Sequence, residues 1–209
     1  MTSEERVRRA YGVRADEYIR LLGSVAALSP LDAARIHRWS LGVTGKILDA
    51  GSGPGHWTAY LDGAGSDIEG LDLTPEFVAH ARSAYPHVSY REGSVLALPH
   101  ADASLGGLLA WYSLIHLDPD ELSAALTEFA RALAPGGSLL IGFFDGAEEE
   151  FDHAVTTARF WSVETMAGAL ERAGFVVQDS ETRQDPGSRP HASIAARRAT
   201  PESPRASSL

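Results

Sequence analysis

No cysteine occurs among the 209 residues, which removes disulfides, thiolate metal sites and cysteine nucleophiles from consideration. Long apolar runs are missing too, and none approaches the roughly 18–20 residues that span a bilayer. The opening stretch MTSEERVRRA is charged and lacks the apolar segment of a secretory signal. The expected location is therefore cytoplasmic, away from membranes. Positive charge is scarce: 18 Lys and Arg face 28 Asp and Glu, a formal charge of −10. A duplex-binding surface needs clustered cations to displace counterions, and the nearest approach to a cluster is Arg197-Arg198. Nucleic acid is not expected as a partner, although net charge does not decide the polarity of one groove. The histidines are scattered without ligand spacing, so no metal site is expected. What remains is a chain that is 44% hydrophobic, of a length and composition suited to one globular α/β domain.

From Lys46 onward, short apolar runs alternate with helix-like stretches. KILDA (46–50), DIEGLDL (67–73), VSYREG (88–93), SLGGLLAWYS (104–113), SLLIGFFD (138–145), FVVQDSETR (175–183) and HASIAARR (191–198) read as strands. Helical spacers imply parallel pairing with helices on both faces. The last two strands are joined only by QDPGSRP (184–190), too short for a crossover, so they form an antiparallel edge hairpin. Thr74-Pro75-Glu76 and Asp118-Pro119-Asp120-Glu121 each place a capping side chain, then proline, then carboxylate at a helix start. The second helix carries Leu122, Ala125, Leu126, Phe129 and Leu133 on one face, and Pro135-Gly136-Gly137 stops it. Ser162 opens a helix through Met166 and Leu170 that Gly174 closes, and Ser29-Pro30 opens one carrying Leu31, Ile36 and Trp39. The reading divides the chain into helical material over 1–40, an α/β core over 41–198, and a proline- and serine-rich tail over 199–209 expected to be disordered.

The informative stretch is Ile47-Leu48-Asp49-Ala50-Gly51-Ser52-Gly53-Pro54-Gly55-His56-Trp57. A strand ends in an acid, glycine follows at three alternating positions, and a helix begins. Glycine permits positive φ and lets a ligand reach the backbone; the helix start offers unpaired N–H groups. Such a turn at the carboxyl end of a strand is a nucleotide site. The dinucleotide fingerprint fails, because His56 or Thr58 stands where its third glycine belongs, and no phosphate-cradling Gly-Lys-Ser/Thr loop exists. Asp49 is a poor neighbour for pyrophosphate and suits a cationic ligand. Asp72 closes the next strand, 17 residues after Gly55, where a carboxylate can hold both ribose hydroxyls. Ribose alone does not separate a sulfonium nucleoside from a nicotinamide dinucleotide.

Taken together, these motifs resemble the class I S-adenosylmethionine-dependent methyltransferases, in particular their small-molecule branch of quinone-biosynthesis and natural-product enzymes. Asp49-Ala50-Gly51-Ser52-Gly53-Pro54-Gly55 matches the acidic-x-G-x-G-x-G motif, and Asp72 matches the ribose-binding acid. Glu92-Gly93-Ser94-Val95, ahead of Leu98-Pro99, resembles the adenine-flanking loop, with Ser94 where many members carry Asp. Trp111-Tyr112-Ser113-Leu114-Ile115-His116 resembles the end of the fourth strand, and Leu133-Ala134-Pro135-Gly136-Gly137 the turn before the fifth. The resemblance runs from about residue 10 to 197. It implies a Rossmann-like three-layer α/β sandwich whose seven-stranded, mostly parallel sheet carries an antiparallel C-terminal edge hairpin. It also implies S-adenosyl-L-methionine as cofactor, S-adenosyl-L-homocysteine as product, and a small-molecule acceptor.

By the same resemblance, the cofactor contacts would be Tyr18, Asp49, Gly51, Ser52, Gly53, Gly55, His56, Asp72, Leu73, Gly93, Ser94, Val95, Trp111 and Tyr112, and 1–40 would form a lid. His116 is the candidate catalytic base, since imidazole titrates near neutrality; the competing role is a histidine that orients its loop. His153, Asp145, Phe151 and Arg159 are candidates for the acceptor pocket, and Glu148-Glu149-Glu150 for a solvated face. Tyr11 and Tyr18, seven apart, share a face of one helix, and Trp111 with Tyr112 offers an aromatic wall for a cation–π contact. The alternative is a protein that binds the sulfonium without methyl transfer, cyclase-like or regulatory. The expected acting unit is a monomer or homodimer.

Overall fold

The computed structural model describes residues 2–25 and 29–200; the tail expectation thus falls largely on 201–209, outside the described residues. Three helices come first: α1 (Ser3–Val13), α2 (Ala15–Leu22) and α3 (Pro30–Ser40). A capping box between Thr2 and Glu5 starts α1, and Ser29 caps α3 ahead of Pro30. Arg14 (φ −109°, ψ 12°) breaks α1 from α2. Tyr11 and Tyr18 therefore meet across a helix break and not along one helix, with ring centroids 5.5 Å apart. In α3, Ile36 and Trp39 are buried as expected, whereas Leu31 faces solvent.

The core alternates strand and helix: β1 (Ile47–Ala50), α4 (His56–Gly63), β2 (Ile68–Asp72), α5 (Pro75–Ala84), β3 (Ser89–Glu92), β4 (Leu105–Trp111), α6 (Pro119–Ala132) and β5 (Leu133–Phe144). After a short ribbon of β6 (Glu150–Phe151) and β7 (Ala158–Arg159) come α7 (Val163–Arg172), β8 (Phe175–Arg183) and β9 (His191–Arg198). The seven-stranded sheet has the order β3-β2-β1-β4-β5-β9-β8. Strands β1 to β5 pair in parallel, while β9 runs antiparallel between β5 and the edge strand β8. The expected sheet and edge hairpin are both present.

Both faces of the sheet are covered, which explains why the strands read as apolar runs and not as alternation. Leu108, Leu139 and Ile141 pack with Leu126, Phe129, Met166 and Leu170 on one side. Leu109 and Leu140 pack with Ile36, Trp39, Trp57 and Leu61 on the other.

Three local expectations are corrected. Strand β5 begins at Leu133, ahead of the glycines, because buried Leu133 turns extended (ψ 141°) and pairs with Leu105. A register shift between Leu105 and Gly107 then absorbs the Pro-Gly-Gly stretch into the strand. The Thr74 hydroxyl makes no capping bond to α5; instead the Thr74 amide donates to Asp72 Oδ1 at 2.8 Å. The β6–β7 ribbon has no counterpart in the sequence reading, since each strand is two residues long and leaves no periodicity. Its rung is braced by Arg159 to Glu150, 2.9 Å apart. Glu148 is exposed yet accepts from Ser162 and Thr165 at the start of α7, so the acidic run is only partly a solvated face.

Candidate active site

The sheet order reverses between β1 and β4, and a cavity of 290 Å³ opens at the carboxyl ends of those strands. Its floor is the glycine turn after β1. Gly51, Gly53 and Gly55 all have positive φ, at 84°, 53° and 87°, but they serve different ends. A Cβ on Gly51 would lie 2.2 Å from that of Ser113, and one on Gly55 would meet Ala81 and Tyr90 at 2.8 Å. Those two let neighbouring elements close up. Around a Cβ on Gly53 there is nothing within 4 Å, and this residue lines the cavity. The amides of Gly51 and Ser52 donate to the Leu71 carbonyl at 2.7 and 2.9 Å, fixing the turn to β2.

Asp72 completes that fixing. Its Oδ2 accepts from the Gly53 amide at 2.7 Å and its Oδ1 from the Thr74 amide. The carboxylate is 8% exposed and lines the cavity. Burial pushes its pKa up, and the backbone amides pull it back. Each oxygen has further acceptor capacity.

Of the expected cofactor residues, Gly51, Ser52, Gly53 and His56 line the cavity from the first turn, and Asp72 and Leu73 from the second. Gly93 and Val95 line it after β3, Trp111 and Tyr112 after β4, and Tyr18 from α2. Asp49, Gly55 and Ser94 are not among the lining residues. Asp49 lies behind the turn, 1% exposed, and accepts from Thr58 Oγ1 at 2.7 Å; burial without a cationic partner pushes its carboxyl up to about 7. Ser94 is engaged by the Glu4 carboxylate of α1 and by the Leu96 amide. Tyr112 adopts φ 57°, costly for a bulky residue, and its hydroxyl meets His191 Nδ1.

His116 lies at the other part of the same cavity. Its Nδ1 is 2.8 Å from the Thr157 carbonyl, and its Nε2 is 2.9 Å from Tyr11 Oη. A carbonyl only accepts, so Nδ1 carries the hydrogen and Nε2 accepts from the tyrosine. Burial lowers the His116 pKa; the Thr157 carbonyl opposes this and Arg6 adds to it. Tyr11 is raised well above the ordinary tyrosine range by burial, Tyr18 and Asp72, and Tyr18 is pushed up to about 12 by burial and Asp72. His153 packs against His116 with centroids 5.6 Å apart and is lowered to about 4, chiefly by burial.

The sequence reading missed Glu4, Asp32, Phe77, Ser113 and Phe144, which also line the cavity. Ser113 stands inside the stretch Trp111–His116 that ends the fourth strand, and that position was the available signal. The others come from elements whose placement over the sheet is set by tertiary packing. Asp145, Phe151 and Arg159 do not line the cavity, whereas His153 does. Ser52 Oγ, Ser113 Oγ, His56 Nδ1 and His153 Nδ1 are enclosed without a protein hydrogen-bond partner. Enclosed polar atoms of this kind call for a ligand or water.

A glycine turn and a strand-end acid thus open into one cavity at the switch point, where open α/β sheets bind their ligands. Residues 47–137 match the family model described as methyltransferase domain. The chain is 39% identical over 95 residues to malonyl-acyl carrier protein O-methyltransferase of Erwinia billingiae, covering 46% of this chain and 37% of that one. It is 35% identical over 97 residues to demethylmenaquinone methyltransferase of Chlorobaculum parvum, covering 46% and 39%. It thus spans about two fifths of the length of these relatives. Among solved structures, it is similar to the 1,6-didemethyltoxoflavin-N1-methyltransferase of Burkholderia thailandensis, with a TM-score of 0.76, 25% identity, and coverage of 93% and 88%. Residues 47–137 thus resemble a methyltransferase domain, and the chain shares its fold with a solved small-molecule methyltransferase. Among the described residues, no helix is long and apolar enough to cross a membrane, and no cluster of His, Asp and Glu is arranged to hold a metal ion.

Proposed function

We propose that this chain transfers the methyl group of S-adenosylmethionine to a small-molecule acceptor by in-line displacement. One observation carries the reading: a single cavity holds both the glycine turn with Asp72 and the Tyr11–His116 pair. The residues suit the cofactor. Gly53 is open where a ligand would approach, Asp72 has acceptor capacity to spare for ribose hydroxyls, and enclosed Ser52, Ser113 and His56 await partners. When bound, the cofactor supplies a methyl on a sulfonium that departs as a neutral thioether, so the activation comes with it.

The chain's own work is to bind, align, exclude water and take a proton. Asp72 and Leu73 hold the ribose, Gly93 and Val95 flank the base, and Trp111 and Tyr112 face the sulfur. Asp49 and Gly55 are positioning residues that act through the turn, and Ser94 acts through its bond to α1. His116, with a free-base Nε2 at neutral pH, accepts the acceptor's proton by way of the Tyr11 hydroxyl. Helices α1 and α2 form the lid over a core of 41–198. Sulfonium binding without transfer remains the second reading, and the preformed His116–Tyr11 pair counts against it. The test is a titration with S-adenosylhomocysteine followed by assay of its release from S-adenosylmethionine. Binding that Asp72→Ala weakens supports the reading, and no binding at all removes it.

A further inference from the structure

The charged residues that line the cavity, histidine apart, are all acids. Glu4, Asp32 and Asp72 line it, and no Lys or Arg does so among the described residues. Asp32 is held by Arg183 at 2.9 Å, and Glu4 by Ser94, so neither is a loose surface acid. The nearest cations stay outside the lining: Arg183 is taken up by Asp32, Arg6 acts on His116 from a distance, and Arg14 and Arg189 act on His153. Arg6 and Arg189 are exposed, Arg189 lies 4.5 Å above the Phe151 ring, and Arg14 is paired with Glu17.

The half of the cavity around His116 is built from rings that are uncharged at neutral pH. Tyr11, His116, His153 and Phe144 follow one another with centroid separations of 5.5, 5.6 and 6.0 Å. A carboxylate entering here gives up its water and finds no guanidinium or ammonium in the lining to bind it, since Arg6, Arg14 and Arg189 all lie outside. A flat neutral ring finds apolar faces, the imidazole of His153, and a proton acceptor.

We infer that the acceptor is an uncharged aromatic bearing a hydroxyl or ring N–H, and not a carboxylate. The inference rests on the methyl-transfer reading above and deepens it. The bookkeeping of the step agrees: the acceptor's O–H or N–H bond breaks as its oxygen or nitrogen gains the methyl. The released proton passes to Tyr11 Oη while the Tyr11 proton passes to His116 Nε2. The positive charge that leaves the methyl donor ends on the imidazole, and the product is neutral. A carboxylate acceptor has no proton to give at neutral pH and would leave the Tyr11–His116 pair without a task.

The test is a titration of the protein saturated with S-adenosylhomocysteine, at pH 7, with 2-naphthol, 2-naphthoate and a malonyl thioester of pantetheine. Saturation with the homocysteine product is itself checked first, so its failure marks the methyl-transfer reading and not this inference. The expected result is that 2-naphthol binds about tenfold or more tightly than either carboxylate. Val7 lines the cavity from half-exposed α1, and Val7→Lys should bring the carboxylates level with 2-naphthol. Carboxylate binding as tight as that of 2-naphthol in the unaltered protein, no binding of 2-naphthol, or a preference unmoved by Val7→Lys would overturn the inference.

Discussion

Asp72 has two tasks that a single substitution separates poorly. Its oxygens already accept from Gly53 and Thr74, so it braces both turns while leaving acceptor capacity toward the cavity. Asp72→Ala should weaken S-adenosylhomocysteine binding by about 1–3 kcal/mol, read by calorimetry. An unchanged affinity would remove Asp72 from the ribose. At the other part of the cavity, His116→Gln should lower turnover by roughly 10²–10⁴-fold. With the His116 pKa lowered by burial, wild-type activity should rise with pH below the ordinary histidine range and then level off. His116→Gln should abolish that rise, and Tyr11→Phe should reduce turnover while leaving cofactor affinity nearly intact. A pH profile unaffected by either change would dismiss the pair as a proton acceptor. The glycines divide in the same way. Gly51→Ala has a 2.2 Å clash with Ser113 to resolve and should lower the melting temperature. Gly53→Ala has room, so beyond about 1–2 kcal/mol of backbone strain its effect should fall on cofactor affinity.

At the scale of elements, α1 is attached differently from the rest. None of its residues is fully enclosed, and it reaches the core through the Tyr11 ring, which packs on Phe77 and His116, and through polar contacts from Glu4 to Ser94 and from Arg8 to Glu92 at 3.0 Å. Exposed ion pairs contribute about 0–1 kcal/mol each, so such a helix opens locally at low cost. Its amides should exchange quickly in the free protein and at least about tenfold more slowly with S-adenosylhomocysteine bound. Equal exchange in both states would deny α1 a covering role. The central strands were legible in sequence because burial on both faces leaves uninterrupted apolar runs; the mostly exposed edge strand β8 and its partner β9 also begin and end where the sequence placed them. The capping pattern at Asp118 is likewise a true capping box. What escaped were features set by contacts distant in sequence. The early start of β5 depends on Leu105, the β6–β7 ribbon on two rungs, and the Tyr11–Tyr18 contact on a helix break.

For the whole molecule, burial of ionisable groups sets opposing pH responses. His56 and His153 are each lowered to about 4, so the folded state holds fewer protons than the unfolded one between that value and the ordinary 6.5. Their stabilisation is present above 6.5 and is lost as pH falls toward 4. Asp49, raised from 3.8 to about 7, acts in reverse: its contribution is full below 3.8 and is lost as pH rises through 7. A double change of His56 and His153 to Gln should flatten the acid-side fall in melting temperature. Asp49→Asn should raise the melting temperature more at pH 8 than at pH 5. The candidate site was legible to the extent that it lies in contiguous motifs, and the two turns and His116 that those motifs single out do line one cavity. Its partner Tyr11, the Thr157 carbonyl and the acidic lining come together only through folding. The measurement that bears most directly on all of this is calorimetric titration of the unaltered protein with S-adenosylhomocysteine. The geometry predicts saturable binding at one site per chain with a raised melting temperature. Absence of heat together with an unmoved melting transition would contradict it.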